Sequence, residues 1–250
     1  VANMCLCSRK DVRDAVVAAR AAQSGWASKS AYNRGQILYR IAEMLEGRTS
    51  QFIDELIQTG LAATAARKEV ETSIDRVLYY AGWADKYQQI FSSVNPVASS
   101  HFNFSVLEPT GVVSILSPEE TGLIGLVSTL MPAIVGGNTV VVLASTARPL
   151  PAVTLTEVLA TSDLPGGVIN LLTGKRSELI EHFASHMDIN AVVYCGSDRD
   201  ELTAVRTQAA NNVKRAISYD RDDWMSADAQ SPYFILDTQE VKTTWHPVGT

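Results

Sequence analysis

Short apolar runs recur through the middle of the chain, between residues 111 and 196. The β-branched stretches VVSIL, TVVVL, VINLL and AVVYC are separated by segments of about a dozen residues whose apolar positions follow helical spacing. Strands that alternate with helices predict βαβ units, and hence a parallel sheet with helices on both faces. Because the runs are almost continuously apolar, we expect both faces of the sheet to be covered.

The same pattern predicts where a site would lie. In open parallel sheets, ligands bind beyond the carboxyl ends of the strands. Here those ends fall in three short ranges, 117–121, 143–146 and 196–201. Any binding or catalytic groups are expected in these ranges.

The N-terminal third of the chain has a helical pattern. Residues 1–7 have the composition of a short strand, and Ser8 with Asp11 forms the signature of a capping box at a helix start. Further stripes of apolar residues at helical spacing follow, and Gly47 and Gly60 mark the ends of two of them. We therefore expect a helical segment before the sheet.

The remaining segments have the composition or the residue alternation of β-strands. The turn-rich SSVNPVASS followed by HFNFSVLEP predicts a hairpin, residues 95–109, that leaves the body of the domain. After a last sheet strand at 214–219 and a polar loop, the tail, 232–250, is rich in β-forming residues and predicts one or two strands. The predicted organisation is one α/β domain, residues 1–222, interrupted by the hairpin and joined by the strands of the tail.

The composition excludes several classes of function. Acidic residues outnumber basic ones by 27 to 21, a formal charge of −6, so nucleic-acid binding is not expected. Adjacent basic pairs such as Lys175-Arg176 are interpreted as solvated faces. No apolar run has the length of a membrane span.

The cysteines indicate a compartment rather than a site. Three cysteines, an odd number, favour a reducing environment, and we expect a cytoplasmic location. Cys5 and Cys7 lie close together, but the histidines offer no second pair of ligands at matching spacing, so no metal site is expected. The chain starts at Val1, which fits either removal of an initiator Met or a longer polypeptide.

Several motifs occur together in a fixed order: DVRDAVVAARAAQSGW, RGQILYRIAEMLEGR, YYAGWADK, EPTGVVSILSP, GNTVVVL, LPGGVINLLTG, VVYCGS and EVKTTW. In this order they resemble the aldehyde dehydrogenase superfamily, over about residues 1–218 and 239–246. The resemblance implies a Rossmann-like, NAD-binding fold with a small β oligomerisation element. Within the superfamily the chain looks most like the second, non-catalytic domain of the two-domain family 16 enzymes.

The first departure from the active members follows the first sheet strand. Active members have Pro-Trp-Asn there, and the Asn amide donates a hydrogen bond to the oxyanion of the intermediate. Here Pro118 is followed by Glu119 and Glu120. A carboxylate has no proton to donate at neutral pH and repels an oxyanion. A role for Glu120 as a general base would require a nucleophile beside it.

The second departure follows the second strand. Active members have Lys-Pro-x-Glu, in which Lys and Glu hold the adenosine ribose. The register places Leu143 and Thr146 at these two positions. Leucine cannot form a hydrogen bond with a hydroxyl group, although Arg148 lies near enough in sequence to substitute.

The third departure follows the fourth strand. Gly196 and Ser197 match the family's Gly-Ser pair, where the cofactor pyrophosphate lies on a helix N-terminus. Asp198, Asp200 and Glu201 fill the first turn of that helix. These acids suit the helix dipole and would repel a pyrophosphate. The positions Leu143, Thr146, Gly196 and Ser197 are therefore interpreted as vestigial, and no bound cofactor is expected.

The largest departure is the absence of a catalytic domain between the sheet and the last strand. In the family, the sheet is followed by Glu-Leu-Gly-Gly, which carries the general base, and then by the domain with the nucleophilic Cys. Here the base position offers Tyr219 or Asp220, and EVKTTW follows soon after. Cys195 ends a buried strand and is interpreted as a structural thiol. No catalytic residue is expected in this chain.

Three hypotheses remain. We favour a non-catalytic domain, a pseudoenzyme, with an assembly or scaffolding role. Its partner strands would be 101–108 and 239–246, which resemble the family's oligomerisation strands, and its partner a second copy or an aldehyde dehydrogenase catalytic domain. The alternatives are a NAD-binding regulatory module and a fragment of an active NAD-dependent enzyme whose catalytic residues lie elsewhere.

Overall fold

The computed structural model describes residues 3–220 and 223–249, so the predicted limits at residues 1, 222 and 250 lie outside the described residues. The helices have these bounds: α1 Arg9–Ala27, α2 Ala31–Glu46, α3 Thr49–Gln58, α4 Ala63–Trp83, α5 Tyr87–Phe91, α6 Ile124–Val135, α7 Leu150–Ala160, α8 Arg176–Ser185, α9 Arg199–Ala210 and α10 Tyr233–Asp237. The strands are β1 Ser93–Asn95, β2 His101–Pro109, β3 Val112–Leu116, β4 Thr139–Leu143, β5 Ile169–Leu172, β6 Ala191–Cys195, β7 Arg215–Tyr219 and β8 Gln239–Pro247.

The predicted parallel sheet is confirmed. It has five strands in the order β5-β4-β3-β6-β7, and the strand order reverses between β3 and β6. Every residue of β3, β4 and β6 is buried, as the continuous apolar runs predicted. Helices α1, α8 and α9 pack on one face of the sheet, and α2, α4, α6 and α7 contribute to the larger core on the other face.

The helical N-terminal segment is also confirmed. The capping box at α1 is complete: the amide of Ser8 donates to Asp11 at 2.7 Å, and the amide of Lys10 donates to the Ser8 hydroxyl at 3.3 Å. The strand predicted before it is wrong for residues 3–7. Those residues form no strand ladder, although the amide of Cys7 donates to the carbonyl of Thr173, just after β5, and the Thr173 hydroxyl donates to the carbonyl of Cys5.

The predicted hairpin is formed by β1 and β2, and it belongs to a second, antiparallel sheet with the order β1-β2-β8. Strand β2 pairs with β8 along its whole length, from His101 opposite Pro247 to Pro109 opposite Gln239. The other edge of β8 has no neighbouring strand within the described residues. This small sheet therefore ends in an open strand.

The tail differs from the prediction in its first part. A strand forms only at β8, whereas Tyr233–Asp237 forms the short helix α10. Pro232 is the N-cap of that helix, and its fixed φ, here −64°, is compatible with a helix start. Phe234 and Ile235 are buried in the main core, so burial against α6 overrides the β propensity of this stretch.

The connection from β7 to β8 is packed on the body of the domain. The indole of Trp224 is 2% exposed and belongs to the main core, together with Ala229. The buried guanidinium of Arg76, on α4, donates to the carbonyls of Trp224 and Ser226, both at 3.3 Å. The Tyr219 hydroxyl donates to Asp237 at 2.7 Å and links the two ends of the connection.

The described residues carry neither a membrane-spanning helix nor a metal-ligand cluster. No helix there has both the length and the hydrophobicity that crossing a bilayer requires. No three His, Cys, Asp or Glu side chains in that part of the chain converge as metal ligands would.

Candidate functional site at the carboxyl edge of the sheet

The three ranges predicted to carry a site do meet at one edge of the sheet. The strands β4, β3 and β6 are neighbours, and they end at Leu143, Leu116 and Cys195. The reversal of strand order between β3 and β6 creates the crevice in which open sheets bind ligands. The groups in this crevice decide which ligand it can take.

The Glu119 side chain lies against the turn that follows β4. Its Oε2 atom accepts hydrogen bonds from the amides of Thr146, at 2.7 Å, and Ala147, at 3.3 Å. Its Oε1 atom is 3.2 Å from the Thr146 hydroxyl, and the Ser145 hydroxyl donates to the Glu119 carbonyl at 3.0 Å. The residue at the family's Trp position thus occupies the turn where the family's ribose ligands would lie.

The two predicted vestigial positions in this turn have different surroundings. Leu143 is buried in the smaller core, against other apolar side chains, and presents no polar group to the crevice. The Thr146 hydroxyl lies within hydrogen-bond distance of both Glu119 and the Gly174 carbonyl, at 3.2 Å each. Arg148 bonds the turn through its backbone amide, which donates to the Ser145 hydroxyl at 3.1 Å.

Arg176 crosses the crevice between β3 and β6. Its guanidinium donates to the carbonyls of Ser117, at 2.9 Å, and Cys195, at 2.8 Å, which lie at the ends of those strands. It also pairs with Glu201 at 3.1 Å and lies 4.8 Å from the centre of the Tyr194 ring. The side chain is only 10% exposed, so the interpretation of this residue as part of a solvated basic pair is wrong.

The turn after β6 is held by its own acids. Asp198 is the N-cap of α9, and its Oδ1 atom accepts from the amides of Asp200, at 2.8 Å, and Glu201, at 3.0 Å. Gly196 has a φ of +155°, which favours glycine, and Ser197 follows it at the surface. The amides that would face a pyrophosphate are therefore occupied by an internal carboxylate.

A second helix N-terminus at this edge is occupied in the same way. The buried side chain of Glu69, on α4, accepts at Oε1 from the amides of Gly122, Leu123 and Ile124, at 2.8 to 3.2 Å, where α6 begins. Sequence reasoning missed this residue. Its signal was a single acid on the apolar face of α4, one turn from Ala66 and Ser73, both buried.

Two titratable groups at the end of β6, Cys195 and Tyr194, have raised pKa values. Burial raises the pKa of the Cys195 thiol above its ordinary value, and the charge of Glu120 raises it further against the opposing effect of Arg176. Burial and the neighbouring Glu201 carboxylate raise the pKa of Tyr194 to about 12. Both groups therefore stay protonated at neutral pH, and a protonated thiol is a poor nucleophile.

Neither residue at the family's general-base position is arranged as a base. Burial, followed by the charge of Asp237, raises the pKa of Tyr219 well above its ordinary value, and its hydroxyl donates to Asp237. Asp220 is exposed at the end of β7. The structure brings the predicted positions together but pairs no base with a nucleophile among them.

The residues present do not fit a dinucleotide. Carboxylates of the chain itself take the amides at the N-termini of α6 and α9 and in the turn before α7. Arg176 covers the crevice between them, and Leu143 offers the ribose no hydrogen bond. A pyrophosphate would have to displace these internal bonds and approach several fixed negative charges.

Comparisons with known proteins agree with the fold. The sequence profile described as "Aldehyde dehydrogenase family" matches residues 1–219. An aldehyde dehydrogenase of Emericella nidulans is 30% identical over 236 residues, which cover 94% of this chain and 46% of the relative. The cytosolic 10-formyltetrahydrofolate dehydrogenase of Xenopus tropicalis is 31% identical over 86% of this chain and 24% of its own length.

Solved structures are similar over the same part of the chain. PnpE from Pseudomonas sp. WBC-3 superimposes with a TM-score of 0.82 and 26% identity, over 87% of this chain and 44% of PnpE. Aldehyde dehydrogenase C of Pseudomonas syringae, solved with NAD⁺ and octanal, has a TM-score of 0.77 and 30% identity, over 85% and 43% of the two chains. This chain thus spans less than half the length of these relatives.

Proposed function

The chain belongs to the aldehyde dehydrogenase family, and we propose that it is a non-catalytic domain of that family with an assembly or scaffolding role. The observation that carries this proposal is the direct connection between the two sheets. From β7 the chain returns to β8 through residues 220–238, whose described part packs on the domain's own core. The family's catalytic domain would stand at this point, and here Trp224 and the buried residues of α10 pack into the domain's own core instead.

The crevice supports the non-catalytic part of the proposal. Glu120 replaces an oxyanion donor with negative charge, and losing one such donor costs roughly 3–4 kcal/mol of transition-state stabilisation in other enzymes. Cys195 is buried, and its carbonyl accepts from Arg176. We propose that this chain neither holds NAD nor oxidises aldehydes. The Pro118-Glu119-Glu120 sequence supports the narrower proposal of a likeness to the second domain of family 16.

An activity assay tests this part. The purified chain is mixed with NAD and aldehydes of increasing length, and NADH formation is followed by absorbance. The proposal requires rates equal to those without protein. Turnover above that background which is lost on Cys195→Ser would refute it, because it would assign a nucleophilic role to a thiol that the proposal treats as structural.

The open edge of β8 supports the assembly part. An unpaired strand edge invites pairing with another strand. Val241 and Trp245 on β8 are 62% and 57% exposed, and Phe102 on β2 is also exposed. Apolar side chains beside open backbone groups favour a protein partner. We propose that β8 is covered by a second copy of this chain or by an aldehyde dehydrogenase catalytic domain.

Hydrogen exchange tests the assembly part. Amide exchange along β8 is measured at low and at high chain concentration. Protection of outward-facing amides should rise with concentration, while amides within the parallel sheet serve as the internal control. Exchange along β8 that is fast and independent of concentration, with or without an added aldehyde dehydrogenase catalytic domain, would contradict strand addition.

Two wider statements remain proposals. If this sequence is part of a longer polypeptide with a catalytic domain, the parent would be a NAD-dependent aldehyde dehydrogenase while this domain stays inert. The described cysteines Cys5, Cys7 and Cys195 are all free thiols, which supports a reducing, cytoplasmic location.

A further inference from the structure

The turn after β4 binds a carboxylate in the way that proteins bind free anions. Two successive amides, of Thr146 and Ala147, converge on one oxygen of Glu119, and the Thr146 hydroxyl reaches the other. The Ser145 hydroxyl lies 3.3 Å from the same carboxylate. Successive backbone N–H groups that point at one anion form an anion-binding concavity, or nest. We refer to residues 145–147 as the β4 turn.

We infer that the β4 turn is an oxyanion site for which Glu119 is the internal ligand, so that removing this side chain opens the site to inorganic phosphate. The ligand class is a small tetrahedral or planar oxyanion, because the donors converge on two oxygens of one group. A ligand that is part of the chain binds without the entropy loss of association. The native chain therefore keeps the site closed to free anions. This inference does not depend on the assembly role.

The charges around the β4 turn favour an anion there. The guanidinium of Arg176 lies 4.0 Å from Oε1 of Glu119, and it is largely removed from solvent. The turn also lies just before α7, whose N-terminus carries the positive end of the helix dipole. Of the neighbouring acids, Glu201 is paired with Arg176, and Glu120 is exposed.

The test is rescue of a cavity variant by phosphate. Glu119→Ala leaves the amides of Thr146 and Ala147 without their acceptor, so the melting temperature should fall by several degrees. Inorganic phosphate at about ten times its dissociation constant should then raise the melting temperature by roughly 3–6 °C, with sodium chloride at equal ionic strength as the reference. The wild-type chain should show no such gain.

Glu120→Ala is the matched control. It removes the same side chain and charge one position away, but Glu120 is exposed and makes no hydrogen bond or ion pair within the described residues. Its melting temperature should not respond to phosphate. Glu119→Gln is the second variant: its amide group still fills the β4 turn, so it should melt lower than wild type and not be rescued.

Each outcome decides the inference. Rescue of Glu119→Ala alone supports it. A phosphate response that is equal in wild type, Glu120→Ala and Glu119→Ala overturns it, because phosphate would then bind elsewhere. A folded Glu119→Ala without any response also overturns it. If Glu119→Ala is unfolded at 25 °C, refolding by phosphate but not by chloride supports the inference, and failure to refold overturns it.

Discussion

The buried indole of Trp224 provides a quantitative test of whether the segment between β7 and β8 is part of the core. If residues 223–238 are part of the core, truncating Trp224 must cost as much as truncating any core aromatic residue. If the segment is only a tether toward another domain, the cost must be small. The substitution Trp224→Ala separates these cases because the side chain is 2% exposed and packs with Tyr219 and the main core.

The magnitude follows from the buried area. A tryptophan side chain buries roughly 150–250 Å², which at about 25 cal/mol per Å² corresponds to ~4–6 kcal/mol. Residual burial in the unfolded chain reduces that by about 10–40%. The expected loss in free energy of unfolding is therefore about 3–5 kcal/mol, the range for large core truncations. For a domain of this size the melting temperature should fall by roughly 6–20 °C.

The assay is urea denaturation followed by far-UV circular dichroism, because the variant removes a fluorophore. Tyr233→Ala is the matched control: it removes an aromatic residue from the same segment, but one that is 62% exposed and contacts Phe91 at the surface. It should cost no more than about 1 kcal/mol. A Trp224→Ala chain as stable as the Tyr233→Ala chain would refute the claim that this segment completes the core.

Two further predictions concern the crevice and the charges. Calorimetry should detect no NAD binding tighter than millimolar, because Leu143 cannot hold the ribose and Asp198 occupies the pyrophosphate turn; a micromolar constant that Ser197→Asp weakens would instead favour a NAD-binding regulatory module. Burial lowers the pKa of Lys214 from 10.5 to about 8, so between these pH values the unfolded chain binds more protons and the free energy of unfolding rises with pH. Lys214→Met should flatten that rise. If the free energy of unfolding has the same pH dependence in the wild-type and Lys214→Met chains, Lys214 is not its cause.

The sequence could predict the elements whose signals are local. The apolar runs of β3, β4 and β6 and the stripes of α1 to α4 are periodic over their own lengths, so they identify element type without knowledge of contacts. The capping box at Ser8 is equally local, since Asp11 lies three residues away. The family's motif order then placed these elements in one fold.

Contacts between segments that are distant in sequence could not be predicted from local patterns. Tyr233–Asp237 has β-forming residues but folds as a helix because Phe234 and Ile235 are buried in the main core. Trp224 was part of a predicted polar loop, since its neighbours are charged and the core that receives it is contributed by distant residues. Local composition does not encode such burial.

The sequence predicted where the site lies, at the carboxyl edge of the sheet, but not the side-chain contacts found there. The sequence placed Glu119 at the family's Trp position, beside the missing oxyanion donor, yet the partners of its side chain lie in the turn after the next strand, at Thr146. Arg176 likewise has partners that are distant in sequence: its guanidinium donates to the carbonyls of Ser117 and Cys195, at the ends of β3 and β6. These internal hydrogen bonds could not be predicted from the sequence, because they depend on the topology that brings three strand ends together.

The central claim, that this domain acts by strand-mediated assembly, is tested most directly by measuring its mass in solution with one hydrogen-bond donor removed. Val241 lies on β8, and Val241→Pro deletes a backbone N–H there, whereas Val241→Thr keeps the donor and the β-branched shape. Multi-angle light scattering across a range of concentrations should show association of wild type and Val241→Thr, alone or with an aldehyde dehydrogenase catalytic domain. A folded Val241→Pro chain should remain monomeric. A wild-type chain that stays monomeric and captures no catalytic domain, or a folded Val241→Pro chain that associates fully, would contradict the claim.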